Sequence, residues 1–356
     1  MRNNMLTYVK NHTYAQKNKL LLRTLRKQYK NPIFIKNLIN QSGDFAKFDN
    51  KNFSIKEIRN GNINLTFLAS NRSTKIVIKK YLPFAKSNPF LKVSTYSSSL
   101  AEKEASYMKF VFGKTKTRRT TVPVVYGYSQ KENTLLTKYL SSSKSLFYDL
   151  NRSKPSGGAI GEFLRQIHEI KFVPGLRINE RKKGTFESMV IEFAKKENLS
   201  SLYKNVSNWI NEYEKAPKYL THGDFSPKNI LQNGTNINVI DFENMMYDDV
   251  SRDIGQFMGD MINSCIRQYF TFDLLRKNLE LFLQTYKTTS PQIKGWHLLL
   301  ERSRNFAGIV LIYRSLNLYP TSSKQDGEKL QKASYEIGKN LILSKDDLFD
   351  TISLFL

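Results

Sequence analysis

The chain has 356 residues, 40% of them hydrophobic, and 56 Lys and Arg against 31 Asp and Glu give a formal net charge of +25. That length is too great for one small core and fits two lobes of unequal size. No apolar run approaches the roughly 20 residues that cross a bilayer, so a soluble protein with no membrane partner is expected.

The basic excess would suit nucleic acid or another anionic partner. The lysines, however, are scattered among Asn and Ile, and no zinc spacing or RNA-binding aromatic signature accompanies them, so nucleic acid is not expected as a partner. The single cysteine, Cys265, leaves no internal disulfide and no multi-cysteine metal site, which implies a reducing compartment. Residues 1–43 carry Lys and Arg but no acid, a superficial match to an organelle-targeting peptide. The segment is poor in Ser and rich in Asn, which favours a basic helical extension, residues 1–44, packed on the small lobe. A cytoplasmic location follows, with an organelle as the alternative if the segment is a targeting peptide.

From 45 to 140 the pattern is that of strands. Ile63, Leu65 and Phe67 alternate, as do Ile76 and Ile78, and Gly61 supplies a tight turn. Lys79 lies in an apolar strand, where a buried ammonium needs a partner or an anionic ligand to offset its desolvation. Alternation sends one of Lys79 and Lys80 inward and the other to solvent. Ser99 and Glu102 read as an S-x-x-E capping box that starts a helix and engages Glu102, leaving Glu104 to pair with the strand lysine. Tyr107, Met108, Val111 and Phe112 give that helix one apolar face. Residues 122–128 and 135–140 read as the last two strands, and 141–143 as the crossing into a larger lobe, 141–356.

Helical periodicity dominates from about 145. Ile160, Phe163, Leu164, Ile167 and His168 repeat at helical spacing, so His168 reads as a packed core residue. Arg181, Lys182 and Lys183 before Gly184 read as a solvated loop. Helical segments are expected around 252–285, 292–316 and 327–343. Met261, Ile262 and Ile266 surround Cys265 and make it a buried helix residue rather than a nucleophile.

The run Thr221-His222-Gly223-Asp224-Phe225-Ser226-Pro227-Lys228-Asn229 carries the chemistry. Asp224 and Asn229 leave one short loop. Beyond it, Ile230 and Leu231, the turn Gln232-Asn233-Gly234-Thr235, and the alternating Ile237 and Val239 predict a hairpin with Asn-Gly at its tip, which returns Asp241 to the side of Asn229. An acid, an amide and a second acid so placed suit phosphoryl transfer: the first acid orients an attacking hydroxyl, while the amide and second acid hold Mg2+ against a triphosphate. In the rival reading Asp224 caps a turn and Asp241 ends a strand, with neither in a catalytic role. Glu243 shares a face with Asp241 if the strand continues, and is a candidate for the metal or a substrate hydroxyl.

These residues resemble the aminoglycoside phosphotransferase and choline kinase superfamily, with its H-G-D-x-x-x-x-N and D-[FWP]-E segments, and within it the S-methyl-5-thioribose kinases. Gly61-Asn62-Ile63-Asn64-Leu65-Thr66-Phe67 is similar to their G-N-x-N-x-x-F nucleotide loop, and Ile78-Lys79-Lys80-Tyr81-Leu82-Pro83-Phe84 to their V-K-Q-x-L-P-Y strand. Asp253-Ile254-Gly255, and Phe306-Ala307-Gly308 through Ile312-Tyr313-Arg314, fall where similar segments are expected. The resemblance implies an α+β, bilobal protein-kinase-like fold, with a small β-rich N-terminal lobe and a larger helical C-terminal lobe. It also implies an ATP- and Mg2+-dependent kinase acting on a hydroxyl of a small molecule, a sugar such as methylthioribose, and suggests a homodimer.

By the same resemblance, Gly61, Asn62, Asn64, Lys79 and Glu104 serve the nucleotide phosphates, and the backbone from Lys138 to Leu140 serves adenine. Asp224 is catalytic, His222 braces its loop, and Asn229 and Asp241 hold the metal. Glu243, Tyr313 and Arg314 are candidates for the acceptor. Two departures stand out: Asn229 replaces a small hydroxyl residue, and Tyr313 precedes Arg314 where the thioribose kinases carry two arginines. The alternatives are a kinase of another sugar, an amino alcohol or an antibiotic, and a catalytically silent nucleotide- or RNA-binding protein. The intact set Lys79, Asp224, Asn229 and Asp241 speaks against silence, and the basic balance against a polycationic acceptor.

Overall fold

A computed structural model of the chain describes residues 2–42, 53–58, 63–92, 99–115, 119–149, 156–170, 185–288, 295–316, 324–344 and 346–355. The residues divide into two compact units: Met1–Phe110 with Pro123–Ser141, and Val111–Val122 with Ser142–Leu356. Gly61, Asn62 and the basic run 181–184 lie outside the described residues.

The first unit opens with helices α1 (Arg2–Tyr29) and α2 (Pro32–Ser42), followed by β1 (Ser54–Ile58), β2 (Leu65–Ser70), β3 (Lys75–Lys80), β4 (Phe84–Ala85), β5 (Asn88–Lys92) and helix α3 (Leu100–Lys114). After β6 (Thr120–Thr121), which belongs to the second unit, the chain returns with β7 (Val125–Ser129) and β8 (Thr134–Lys138). Among the described residues, five strands form an antiparallel sheet in the order β1-β2-β3-β8-β7. The expected alternation is present: Leu65, Phe67 and Ala69 of β2 and Ile76 and Ile78 of β3 are buried.

The basic N-terminal segment shares this unit's core. Leu22, Leu25, Tyr29, Ile35, Leu38 and Ile39 join Leu65, Phe67, Ile76, Ile78 and Leu136 in one buried cluster. Tyr29 stacks on Phe67 at 5.5 Å, and its hydroxyl meets Thr134 Oγ1 at 2.6 Å. Each such buried side chain contributes about 1.5–3 kcal/mol, so α1 and α2 are structural parts of the unit. None of the helices of the described residues is long and apolar enough to cross a membrane.

Two local expectations change. Lys80 does not point to solvent: its ammonium donates to the Glu132 carbonyl oxygen and lies 3.9 Å from the Glu132 carboxylate. The reason is that α1 covers that face of the sheet, which leaves the ammonium 6.0 Å from the Tyr29 ring, and burial lowers its pKa. At the start of α3, Glu102 accepts from the Tyr128 hydroxyl at 3.2 Å instead of closing a capping box, while Asn133 Oδ1 caps the Ala101 N–H at 3.0 Å.

The second unit continues with β9 (Lys144–Ser145), α4 (Leu146–Asp149), α5 (Gly157–His168), α6 (Thr185–Lys196), α7 (Ser200–Lys215), β10 (Tyr219–Thr221), β11 (Ile230–Asn233), β12 (Asn236–Val239) and β13 (Met246–Asp248). Helices α8 (Ser251–Ile266), α9 (Phe272–Thr288), α10 (Trp296–Ser315), α11 (Lys324–Leu343) and α12 (Leu348–Ser353) complete it. The expected α+β class, with an antiparallel N-terminal sheet and a helical C-terminal part, is met. Helix α8 is the buried centre, with Ile254, Phe257, Met258, Met261 and Ile262 fully covered. It packs closely on α10 because Gly255 has no side chain: a Cβ there would sit 2.4 Å from the Ser303 carbonyl oxygen. The segment expected at 252–285 is two helices, since Gln268 takes a φ of 58° and Thr271 offers its hydroxyl to the Leu274 N–H to begin α9. Cys265 is buried in α8, and burial pushes its thiol up to about 11, as befits an inert residue.

Candidate active site

In the first unit, β3 and α3 bring together two of the residues singled out in the sequence. Lys79 Nζ lies 2.8 Å from Glu104 Oε2, and the Glu104 side chain is only 2% exposed. Tyr81 donates its hydroxyl to the same carboxylate oxygen, and the Lys79 ammonium lies 5.0 Å from the Tyr81 ring centroid. A buried carboxylate held by both a hydroxyl and an ammonium fixes the lysine tip in place. Asn64 Oδ1 accepts from the Leu82 N–H at 3.4 Å. Lys138, expected beside adenine, ends strand β8. Its N–H donates to the Val124 carbonyl at 2.9 Å and that of Tyr139 to Lys75 at 3.2 Å, because β8 is an interior strand whose donors the sheet uses.

In the second unit, two short antiparallel pairings bracket the motif. Strand β10, just before the loop 222–229, pairs with β13, with Thr221 opposite Met246. Strand β11, just after the loop, pairs with β12, with Asn233 opposite Asn236 and Gly234 and Thr235 forming the tip. The Ile240 N–H extends this ladder to the Asn229 carbonyl at 3.0 Å. Residues 222–229 and 240–245 are therefore clamped at both ends, which places Asp224 and Asn229 beside Asp241 and Glu243.

The loop conformation depends on particular residues. Gly223 has a φ of 80°, and a Cβ there would lie 2.1 Å from the Asn244 carbonyl oxygen. His222 donates from Nε2 to the Ile240 carbonyl at 3.1 Å, so Nδ1 accepts the Asp224 N–H at 3.3 Å. Asp253 of α8, fully buried, receives the His222 N–H at 2.6 Å, the Gly223 N–H at 3.0 Å and His168 Nε2 at 3.2 Å. Burial alone would raise the pKa of Asp253; the hydrogen bond and charge of His168 and the contacts from His222 instead hold it below the usual range. His168, buried as expected, also meets the Tyr286 hydroxyl at 2.7 Å.

Asp224 itself is oriented at both oxygens. Gln256 Nε2 donates to Oδ1 at 2.5 Å, Asn229 Nδ2 donates to Oδ2 at 3.0 Å, and Lys228 Nζ lies 3.4 Å from Oδ2. Asn229 Nδ2 also donates to the Asp224 carbonyl at 3.0 Å, so both amide hydrogens are used on Asp224 and Oδ1 is the atom left to face a cation. Asp241 adopts a left-handed backbone, φ 73° and ψ 53°, and a short turn, Phe242–Asn244, follows. A turn rather than continued strand alternation therefore carries the buried Glu243 back to Asp241, with carboxylate oxygens of the two within 4.8 Å of one another.

Arg314 grips Asp260 with Nε at 2.8 Å and Nη2 at 3.0 Å, and Ser226 Oγ donates to the same carboxylate at 2.8 Å. Burial would raise the Asp260 pKa, but the guanidinium holds it below the usual range. Arg314 is thus an anchor for the loop as well as a cation near Asp224, whose charge helps to raise its pKa. Tyr313 packs its ring 4.5 Å from Phe186. Sequence reasoning passed over Gln256, Asp260 and Lys228. Only Lys228 left a local signal, its place beside Asn229; the other two reach the loop from more than 30 residues away.

Solved structures share this fold. An amicoumacin kinase in complex with AMP-PNP, Ca2+ and Ami aligns with a TM-score of 0.58 at 11% identity, over 92% of this chain and 99% of that one. A choline/ethanolamine kinase family protein from Mesorhizobium loti gives 0.54 at 13% identity, over 89% and 96%. The GDP complex of an aminoglycoside 2′-phosphotransferase gives 0.52 at 14% identity, over 87% and 98%. No curated protein matches the sequence significantly. The family model described as the phosphotransferase enzyme family matches residues 54–296, more than half of the chain, and the chain therefore belongs to that family.

Proposed function

We propose that this phosphotransferase moves the γ-phosphoryl group of ATP to a hydroxyl of an uncharged sugar, methylthioribose or a similar pentose. The observation that carries the reaction is the Asp224 carboxylate, oriented by Gln256 on one oxygen and by Asn229 on the other. Asp224 receives the hydroxyl proton as the acceptor oxygen attacks phosphorus. Asn229 Oδ1 and the Asp241 and Glu243 carboxylates are hard oxygen donors that suit Mg2+, which when bound neutralises charge on the phosphate oxygens. Lys79, held by Glu104, binds the α- and β-phosphates, and the Leu140 N–H serves adenine.

The case for an uncharged acceptor rests on how this unit uses its aromatic rings and acids. The Arg314 guanidinium lies 5.7 Å from the Phe186 ring and 5.6 Å from that of Tyr313, and Arg252 lies 4.8 Å from Phe306. A quaternary ammonium held by aromatic faces would meet these fixed guanidinium charges. The buried acids are also committed: Asp248 to Lys218 and Arg252, Asp249 to Arg302, Asp253 to His168, and Asp260 to Arg314. They do not offer the acidic surface that a polycationic aminoglycoside requires.

The test is ADP release by the full chain with Mg2+-ATP and, in turn, methylthioribose, other pentoses, choline and an aminoglycoside. Stimulation by methylthioribose or another pentose is the expected result. Stimulation by choline or the aminoglycoside alone would overturn the acceptor assignment, and failure to bind ATP would overturn the reaction. The Lys79 assignment has its own check. Lys79→Met removes a charge-assisted contact to phosphate, worth about 1.5–3 kcal/mol, so calorimetry should find ATP bound about 10–100-fold more weakly. Unchanged affinity would remove Lys79 from the nucleotide site.

A further inference from the structure

We propose that Lys228 is a catalytic residue, whose ammonium bridges Asp224 and the oxygens of the phosphoryl group in flight. The proposal rests on the phosphotransferase reading above and adds a participant that the motif does not require.

The loop holds the Lys228 backbone firmly while leaving its side chain room to act. Pro227–Asn229 form a tight turn, with the Asn229 N–H donating to the Ser226 carbonyl at 2.8 Å. Ser145 Oγ donates to the Pro227 and Lys228 carbonyls at 3.2 and 3.3 Å. Pro227 and Asn229 are buried on either side, yet the Lys228 side chain keeps 51% of its surface exposed, with its tip 3.4 Å from Asp224 Oδ2. The Asp224 side chain is only 20% exposed, and its charge raises the Lys228 pKa, so the ammonium stays charged beside the carboxylate.

The reaction gives that charge a use. An acceptor hydroxyl that gives its proton to Asp224 must lie within about 2.6–3.2 Å of that carboxylate. The phosphorus it attacks is then only one forming bond further away. An ammonium has three N–H donors; with Asp224 Oδ2 3.4 Å away, one can serve the carboxylate while two are left for phosphoryl oxygens. As the acceptor O–P bond forms, the bond from phosphorus to the β-phosphate oxygen breaks, ADP leaves and the hydroxyl proton passes to Asp224. Negative charge meanwhile spreads over the three equatorial oxygens, which is where Lys228 places its positive charge. Arg314 is poorly suited to that role, because its two-point grip on buried Asp260 would have to break.

The experiment compares the full-length wild type with Lys228→Met, Lys228→Gln and Lys228→Arg at saturating ATP and acceptor, with melting temperature measured on each. Lys228→Met should lower kcat by about 10²-fold, the scale for loss of one transition-state donor. KM for ATP and acceptor should stay within about 3-fold, because the contact strengthens only as charge develops. Lys228→Arg should recover kcat to within about 10-fold of wild type. Wild-type kcat in the Met variant would overturn the proposal, as would Arg and Met variants equally slow at unchanged melting temperature. Should the Met variant unfold early, the Arg and Gln variants decide in the same way. If the wild type turns over only a charged acceptor, the sugar assignment fails and the Lys228 comparison is made on that acceptor; if it binds no ATP, both fail.

Discussion

Asp224→Asn is expected to lower kcat by about 10³-fold, within the range for removing a general base, while ATP affinity changes by less than about 3-fold. The amide nearly matches the carboxylate in shape, but it cannot take up the hydroxyl proton. It also turns an NH2 group towards one of the donors that now orient the carboxylate, Gln256 on Oδ1 or Asn229 and Lys228 on Oδ2. The measurement is ADP release at saturating substrates, set against ATP binding by calorimetry. A variant that keeps more than a tenth of wild-type turnover would take Asp224 out of the proton-transfer role.

Asp253→Ala should cost about 3–5 kcal/mol, the scale for removing one partner of a buried charged network, and should abolish turnover as well. The carboxylate serves the His222 and Gly223 N–H groups and His168 together, so its removal leaves three donors, two of them buried, without that acceptor. Its folded pKa lies below the ordinary value. Its stabilisation is therefore fully present above the unfolded pKa of about 3.9, and is lost as the pH falls through the lower folded value. The melting-temperature gap between wild type and variant should accordingly be constant from pH 7 to about 5 and close below about 4. A gap that persists undiminished into stronger acid would show that the carboxylate's charge is not what holds the loop.

Features governed by short spacings were legible in the sequence. Asp224, Asn229 and the returning Asp241 could be placed because one hairpin of known turn chemistry fixes the second acid relative to the first loop. Lys79 and Glu104 could be paired because a strand period and a helix start each constrain a side-chain direction. What escaped notice depends on tertiary packing: Gln256 and Asp260 reach the loop from α8, a helix whose burial on nearly every side hides any functional face. Lys80 and Glu102 were misdirected for a similar reason, since α1 and Tyr128 supply neighbours that local pattern does not reveal. For Glu243 the neighbour was legible but not the route: the strand stops at Val239 and a left-handed residue intervenes, so a turn and not strand alternation brings its carboxylate to within 4.8 Å of that of Asp241.

That left-handed residue sets stability against activity at one position. Asp241, with φ 73°, pays the penalty of about 1–2 kcal/mol that a side chain incurs in this conformation, and glycine would relieve it at no steric cost. A screen for thermostability alone would therefore favour Asp241→Gly, and would retain a protein that melts later but lacks the carboxylate proposed above for the metal. Consensus stabilisation of this chain would have to exempt position 241, since the strain there holds the carboxylate at the end of the hairpin rather than marking a fault in the backbone.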